Sequence, residues 1–513
     1  MSDAAPPPEA DGLDDSGPDD GSKLAEIVAT RRAKLDALRG AGIEPYPVHF
    51  RPTHTVAEVV AAHPDLEPGE ETGQQVTVAG RVVGKRSMGK LHFLVLQEDG
   101  ATLQLFVPIK ALDEPSRVVL DHLDAGDWLG ADGEVLATKT GELSVKPSAL
   151  TLLGKGLRPL PSAWHGLADT EARFRQRELD LVVNADARRV FTIRAAVLAA
   201  VRAEFTDRGY VEVETPMLHP IPGGAAAKPF VTHHNALGED LYLRIAPELY
   251  LKRLIAGGMR RVFEINRSFR NEGMSTRHNP EFTMLESYEA YADYHDVMDL
   301  TEAVLQRAAV EALGTTELTY QGREVSLAGP FRRAPLLQLV REATGRDELS
   351  YDLDVATWRA VCDDHDVHHE DAWGVGKLAL ELYEALVEHT LWAPTFVTDY
   401  PVEVSPLARA HRDDPHVTER FELILVGREH ANAFSELVDP EVQRERFEAQ
   451  AAAKAAGDDE AMVVDEPYLR AMELGMPPTG GLGIGLDRVV MLLADVANIR
   501  DVILFPTLRP ERT

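Results

Sequence analysis

Cysteine is almost absent from this chain: Cys362 is the single thiol in 513 residues. One cysteine excludes an intramolecular disulfide and any zinc site built from several thiolates. Long apolar runs are missing too. No stretch approaches the roughly 18–20 uncharged apolar residues that span a bilayer. The first residues lack a basic start followed by an apolar run, so nothing points to export. Positive charge is scarce, with 53 Lys and Arg against 84 Asp and Glu, a net charge of −31. That balance argues at first against nucleic acid, whose phosphates need cations. Net charge, however, governs solubility and long-range steering, while local patches decide binding. A cytosolic enzyme with no membrane association fits these shortages best.

The length calls for two or three domains. Residues 1–22 hold Asp3, Glu9, Asp11, Asp14, Asp15, Asp19 and Asp20 among Pro and Gly. With so little apolar surface to bury, they read as a disordered acidic tail. Residues 23–70 open with KLAEIVATRRAKLDALRG, an amphipathic helix. Leu24, Ile27, Val28, Leu35 and Leu38 form its apolar stripe, and Lys23, Arg31, Arg32, Lys34 and Arg39 form a solvated face. Residues 71–155 carry five short apolar runs separated by Gly-containing turns, the pattern of a small barrel of the oligonucleotide-binding (OB) type. Phe93 and Gln104 fall on neighbouring strands, with Lys85, Arg86 and Lys90 in the turn before Phe93. A plain structural barrel would share this pattern. Residues 156–185, with Pro159 and Pro161, form a linker. Residues 186–513 make the second domain, which starts with a helix near 186–208 and carries a helical insertion at 296–390. Pro216 ends an apparent strand, where proline suits an edge or an interface. The fold class is therefore α+β.

The densest chemistry lies in residues 261–294. A strand Arg261–Phe269 and a strand Phe282–Tyr291 flank a loop with Arg270, Arg277 and His278. Gly273 and Asn279-Pro280 supply its turn chemistry. The period of two puts Phe282, Met284, Glu286 and Tyr288 on one face. Phosphate-binding cations thus stand beside a stacking ring and two groups able to hold an ammonium. An ordinary hairpin with a solvated basic loop is the bland alternative.

FELILVGREHANAFSEL, residues 421–437, forms a second constellation. Val426-Gly427 suits a two-residue turn pairing Leu425 with Arg428 and Ile424 with Glu429. Glu422 and Glu429 then share a face, a pair suited to Mg²⁺ bridging nucleotide phosphates. Asn432, Phe434 and Glu436 lie on the opposite face of a regular strand. If all five face one cavity, a bulge must sit near His430 or Ala431. In GGLGIGLDRVVM the glycine spacing is wrong for a dinucleotide fingerprint. Gly481, Gly483 and Gly485 instead leave one strand face bare for a flat base, and Asp487 and Arg488 open the next helix. IRDVILFPTLRP reads as a buried strand with a turn. The cluster Asp363, Asp364, His365, Asp366, His368 and His369 reads as a solvated loop rather than a metal site.

These segments resemble the bacterial class II lysyl-tRNA synthetases of the aspartate/asparagine/lysine subgroup from Lys23 to Pro510. FTDRGYVEVETPM, the FRNEG core and GGLGIGLDRVVM match the three class motifs. IPGGAAAKPF, APELYLKRL, TDYPVEVSPLAR and GREHANAFSEL match lysine-specific stretches. The resemblance implies an OB-type anticodon-binding barrel followed by a class II catalytic domain, an antiparallel sheet flanked by helices, dimeric around Pro216. It implies ATP-dependent formation of lysyl-adenylate, Mg²⁺ as cofactor, and transfer to tRNA(Lys).

By the same resemblance, Arg270 and Arg488 are the catalytic residues. Arg270 holds the α-phosphate and the substrate carboxylate, and Arg277, His278 and Arg488 face the outer phosphates. Phe282 and Arg488 sandwich adenine, Glu272 or Asn279 reads its edge, and Glu422 and Glu429 hold the metal. The lysine-binding set is Gly224, Glu248, Arg270, Glu286, Tyr288, Asn432, Phe434 and Glu436. Within it, Glu436 and Tyr288 meet the ε-ammonium, Glu248 the α-ammonium, and no cation opposes the three carboxylates. The anticodon readers are Arg86, Phe93, Gln104 and Glu142. Two positions depart from the family pattern. His430 replaces an aliphatic residue, with a cationic imidazole expected to weaken Mg²⁺ or ATP binding at low pH, and Lys228 replaces an arginine. A protein-lysylating or regulatory paralogue is the alternative.

Overall fold

The computed structural model describes residues 20–161, 167–455 and 462–511. The acidic tail assigned to residues 1–22 falls almost wholly outside them. The chain divides into two compact units, Met1–Arg188 and Arg189–Thr513.

In the first unit, α1 (Asp20–Gly40) and α2 (Val56–Ala62) precede a closed barrel. Its strands are β1 (Glu71–Met88), β2 (Leu91–Glu98), β3 (Ala101–Pro108), β4 (Trp128–Ala137) and β5 (Leu143–Gly154), in the order β1-β2-β3-β5-β4. Helix α3 (Glu114–His122) bridges β3 and β4. Alternation fills the interior with Val76, Val78, Val82, Leu94, Leu96, Leu103, Leu105 and Val145. The opposite face of β2 and β3 carries Phe93, Gln104 and Phe106. Two short helices, α4 (Thr170–Arg175) and α5 (Arg177–Val183), lie within the stretch read as a linker.

The basic face of α1 is not wholly solvated as expected. Arg31 is buried and donates to the carbonyls of Ala125, Gly156 and Arg158 at 3.0 Å each. Those carbonyls end chain turns, and a guanidinium satisfies several acceptors that no amide reaches. Lys85 is likewise not in a turn. It lies within β1 and donates to the carbonyls of Leu120 and Leu123 at 2.9 and 2.8 Å.

The second unit begins with α6 (Ala185–Asp207), which spans the unit boundary. An eight-stranded sheet follows, in the order β14-β15-β16-β17-β18-β11-β10-β6. Its central members are β10 (Arg261–Phe269), β11 (Glu281–Ala290), β16 (Arg420–Leu425), β17 (Arg428–Ser435) and β18 (Thr479–Ile484). β6 (Val211–Glu212) pairs parallel with β10 at one edge. At the other, β14 (Arg332–Pro335) pairs parallel with β15 (Thr395–Thr398). A separate three-stranded sheet holds β7 (Leu218–His219), β8 (Val231–His234) and β9 (Glu239–Leu243).

Helices α6, α8 (Tyr294–Leu313) and α14 (Leu486–Ala494) pack their apolar faces on the sheet around Phe205, Phe263, Met298, Leu482 and Val490. Helix α7 (Glu248–Ala256) enters from the three-stranded sheet toward the opposite face. The segment read as a helical insertion is mixed. It contains the hairpin β12 (Glu317–Tyr320) and β13 (Arg323–Ser326), and β14 belongs to the main sheet. Only then come α9 (Leu336–Thr344), α10 (Val355–Asp364) and α11 (Val375–Leu386), around Trp358 and Leu382. Helices α12 (Pro440–Ala455) and α13 (Glu466–Met472) cover the last face.

The expected strand near the C-terminus is absent. Residues 499–501 form a 3₁₀ turn, and Val502 N bonds to Ile499 O at 3.2 Å, so local bonds occupy the amides a strand would offer. Val502 and Ile503 are buried, whereas Leu504 and Phe505 are exposed.

Candidate active site

The hairpin β16–β17 turns at Val426 and Gly427, both at positive φ (+52° and +69°), the two-residue geometry that matches strand twist. Leu425 pairs with Arg428 and Ile424 with Glu429, as the sequence predicts. The next pair is Leu423 with Ala431, leaving His430 as the extra residue of a bulge. The bulge reverses the side-chain alternation. Glu422 and Glu429 therefore face the same cavity as Asn432, Phe434 and Glu436.

That cavity holds about 700 Å³. β11 contributes Phe282, Met284, Glu286 and Tyr288, while β18 contributes Gly481 and Gly483. Pairing sets Gly481 opposite Tyr288 and Phe434, and Gly483 opposite Glu286 and Asn432. Gly224, Glu248, Arg270, Glu272, Arg277, His278, Asn279, Gly485 and Arg488 also line it. Every residue assigned above to ATP, lysine or metal is thus brought to one cavity. Arg86, Phe93, Gln104 and Glu142 lie in the barrel and form a separate patch.

One side of the cavity is cationic. Arg270 Nε is buried without a hydrogen-bond partner, and its guanidinium lies 5.1 Å from the centre of the Phe282 ring. Arg488 donates to Glu429, at 2.6 Å to its carbonyl and 3.0 Å to Oε2. His278 is held below the ordinary imidazole range, by burial first and then by Arg488, Arg270 and Arg277.

Glu422 and Glu429 occupy the wall between. Burial pushes Glu422 up to about 7 despite Arg420, with Glu429 adding to the rise. Glu429 is the more exposed of the two, and Arg488, Arg270 and Arg420 carry it below the usual carboxylate range. Two neighbouring carboxylates, one forced toward its neutral form by burial, have the donor chemistry of a divalent-cation site. Among the described residues no group of three or more His, Cys, Asp or Glu side chains is arranged to hold a metal alone. The pair fits an ion that brings most of its oxygens from phosphate and water. The distant acidic cluster is engaged locally: His369 meets Asp363 at 3.1 Å, and Asp364 pairs with Arg346.

The other side is acidic, and here the structure corrects the sequence reading. Lys252, one turn after Glu248 on α7, is fully buried between two of the three carboxylates, Glu248 and Glu436. Its Nζ lies 2.6 Å from Glu248 Oε1 and also pairs with Glu436 Oε2. Burial alone would depress its ammonium, but Glu248 and Glu436 outweigh it and hold the pKa above the ordinary range. Glu436 is pushed up to about 8 by burial, and Glu286 rises well above the carboxylate range through burial and then Glu248. Glu436 Oε1 has no hydrogen-bond partner. Tyr288 Oη donates to Glu286 Oε2 at 3.2 Å.

His430 also differs from expectation. It is buried, donates from Nδ1 to Arg428 O at 3.0 Å, and burial lowers it to about 4. A neutral imidazole fills the bulge.

Sequence reasoning missed Arg420 as well as Lys252. Arg420 donates to Glu422 Oε1 at 2.6 Å, Asn432 Oδ1 at 3.2 Å, Val404 O at 3.0 Å and Ser405 Oγ at 2.9 Å. It thereby ties the metal-type carboxylate to the amide beside it. The signals were present: Arg420 shares Glu422's strand face by the period of two, and Lys252 shares Glu248's helix face by the i, i+4 rule. Asp487 was read only as a helix opener. It accepts from Thr283 N at 2.8 Å and Arg194 at 2.6 Å, pinning α14 to β11 and α6.

In the barrel, Arg86 lies 4.8 Å from the centre of the Phe93 ring, which meets Phe106 edge-on at 5.7 Å. Gln104 Nε2 donates to Ser144 Oγ at 2.9 Å, and Ser144 Oγ to the Glu142 carbonyl at 3.1 Å. Phe93 and Gln104 thus lie on the same face of the neighbouring strands β2 and β3, each held by its own contacts.

A family model for class II tRNA synthetases (D, K and N) matches residues 169–509, and one for an OB-fold nucleic acid binding domain matches residues 76–153. The chain is similar to the lysine–tRNA ligase of Xanthomonas oryzae pv. oryzae (strain MAFF 311018), 53% identical over 490 residues, covering 94% of this chain and 97% of the relative. It is 52% identical over 488 residues to that of Synechococcus sp. (strain RCC307), covering 95% and 97%. With that of Carboxydothermus hydrogenoformans it shares 50% identity over 488 residues, covering 95% and 99%. By its matched models and by relatives aligned over nearly their whole length, the chain belongs to the class II tRNA synthetases of the aspartate, lysine and asparagine group, among the lysine–tRNA ligases.

Proposed function

We propose that this chain activates L-lysine with ATP and transfers the lysyl group to the 3′ end of tRNA(Lys). The observation that carries the reading is the charge balance of the acidic side. Three acidic side chains, Glu248, Glu286 and Glu436, line it, and one built-in cation, Lys252, pairs with two of them, Glu248 and Glu436. The α- and ε-ammonium groups of lysine supply the two cations that bring the burial-raised Glu286 and Glu436 to their ionised forms, and Arg270, whose Nε has no hydrogen-bond partner, receives its carboxylate. Each such pair is worth about 4 kcal/mol at an effective dielectric near 20.

The chemistry needs no protein nucleophile. The lysine carboxylate attacks the α-phosphorus of ATP in line, and pyrophosphate leaves. The terminal ribose hydroxyl of the tRNA then attacks the lysyl carbonyl, loses its proton, and AMP leaves. The protein contributes positioning and charge. Arg270 holds the α-phosphate against the carboxylate, Phe282 and Arg488 flank adenine over the bare face of Gly483, and Glu272 or Asn279 reads its edge. Arg277, His278 and Arg488 face the outer phosphates. Asn432 assists at the lysine carboxylate. Glu422 and Glu429 would hold Mg²⁺, which neutralises phosphate oxygens when bound. Phe93 stacks on an anticodon base, with Arg86, Gln104 and Glu142 at its edges.

The same reading places the protein in the cytoplasm with its tRNA; among the described residues no helix is long and apolar enough to cross a membrane. It also makes the enzyme a homodimer through the region of Pro216. Met217, Leu218 and Val231 are about half exposed there, an apolar surface suited to a second copy.

ATP–pyrophosphate exchange with each amino acid, followed by charging of a lysine-tRNA transcript, tests the reading. Lysine-dependent exchange with charging is expected. Exchange without charging would point to a protein acceptor instead, and no exchange would sink the activity.

A further inference from the structure

Lys252 touches no substrate in the chemistry above, yet it lies behind two acids that line the amino-acid side of the cavity, Glu248 and Glu436. It is wholly buried, and its single Nζ reaches carboxylates from two separate elements, Glu248 at the start of α7 and Glu436 just after β17. The Phe434 ring centre is 5.4 Å from Nζ, and Tyr468 of α13 adds an aromatic wall nearby. A buried charge so enclosed cannot swing to water, and its two partners cannot separate without stranding it. The distance between the two carboxylates is thereby set by one small ion.

We propose that Lys252 is the specificity-determining residue of this site, a clamp that fixes the separation of Glu248 and Glu436 so that the pocket measures the distance between a substrate's two ammonium groups. The proposal rests on the lysine-activating reading given above. If Glu248 takes the α-ammonium and Glu436 the ε-ammonium, chain length is read as the fit of two charges to two anchored partners. Neither oxygen of Glu436 has a hydrogen-bond partner, and because Oε2 is ion-paired with Lys252, Oε1 is the acceptor left for the incoming group. Apolar contact alone discriminates a missing methylene by about 10- to 200-fold. A rigid pair of anchors adds to this, because a shorter diamine cannot reach both and leaves one carboxylate oxygen without the ammonium it is placed to receive.

The test compares wild type with Lys252→Met and Lys252→Arg in ATP–pyrophosphate exchange. The substrates are L-2,4-diaminobutyrate, L-ornithine, L-lysine and L-homolysine, with KM for ATP and the melting midpoint measured alongside. Wild type is expected to peak at lysine, with ornithine poorer by at least about tenfold. In Lys252→Met the clamp is gone. KM for lysine should rise about tenfold or more and the lysine-to-ornithine ratio should fall severalfold, while KM for ATP stays within about twofold. Lys252→Arg keeps the charge but changes the spacing, so its chain-length preference should shift as well. Folded variants that retain the wild-type lysine-to-ornithine ratio overturn the proposal. So does failure of both variants to fold, which would make Lys252 a folding element. Absence of lysine-dependent exchange in wild type would instead sink the activity itself, an outcome distinct from both.

Discussion

Gly481 and Glu436 occupy one space: a Cβ built on Gly481 would collide with Glu436 Oε1 and stand 2.7 Å from Tyr288 Cε1. The glycine is required by its neighbours rather than by its backbone, since its φ is not positive. Gly481→Ala is therefore expected to displace the carboxylate meant for the ε-ammonium. KM for lysine should rise about tenfold or more, the scale of one lost charged hydrogen bond, with KM for ATP little changed. At Gly483 the added methyl meets nothing closer than 3.6 Å. Gly483→Ala leaves the protein undisturbed and should raise KM for ATP if adenine lies on that face. Exchange kinetics at varied lysine and varied ATP separate the two, and the opposite assignment of effects would refute the placement of both ligands.

Arg420 is the only donor joining Glu422, Asn432 and the Val404–Ser405 turn in this cavity wall among the described residues. Arg420→Lys keeps the charge and loses the fork. We expect kcat/KM to fall about 10- to 100-fold, since misplacement by about 1 Å costs that order, and the magnesium concentration for half-maximal rate to rise. Wild-type kinetics in a folded Arg420→Lys would show that the network is ornamental.

Phe93→Ala separates the two units functionally. Loss of a stacking ring costs about 1–3 kcal/mol per base, so tRNA charging should weaken roughly 5- to 150-fold in kcat/KM for tRNA. Lysine-dependent exchange, which needs no tRNA in this reading, should be untouched. If exchange falls in parallel, Phe93 supports the fold rather than an anticodon.

Local periodicity made much of this architecture legible in advance. The β10–β11 hairpin, the β16–β17 turn and the bulge at His430 follow from the period of two, because one cavity must receive residues from both faces of one strand. The barrel follows from runs between glycines. What escaped the sequence depends on long-range neighbours. Lys252 looks like any surface lysine of an amphipathic helix until Glu436, 184 positions later, arrives beside it. His430 looks like a titrating switch until burial is known. Near the C-terminus, Val502 and Ile503 read as a strand, but they join neither edge of the sheet and local 3₁₀ bonds prevail.

The pH dependence of lysine binding follows from which acids hold protons in the empty pocket. Burial raises Glu436 to about 8 and Glu286 well above the carboxylate range, so below about pH 8 Glu436 is mainly protonated. An incoming ammonium favours the ionised carboxylate and must expel that proton. The lysine ε-amino group, near 10.4, stays charged throughout. Affinity should therefore fall as pH drops below about 8, approaching tenfold per unit for one linked proton. Titration calorimetry at pH 7 in buffers of different ionisation enthalpy should report release of about one proton or more. Glu436→Gln should remove most of that release. His430, lowered to about 4, stays neutral across this window, so His430→Val should leave the proton count unchanged. A release that vanishes with His430 rather than with Glu436 would reverse the assignment, and a buffer-independent enthalpy would mean that both acids are already ionised in the empty pocket.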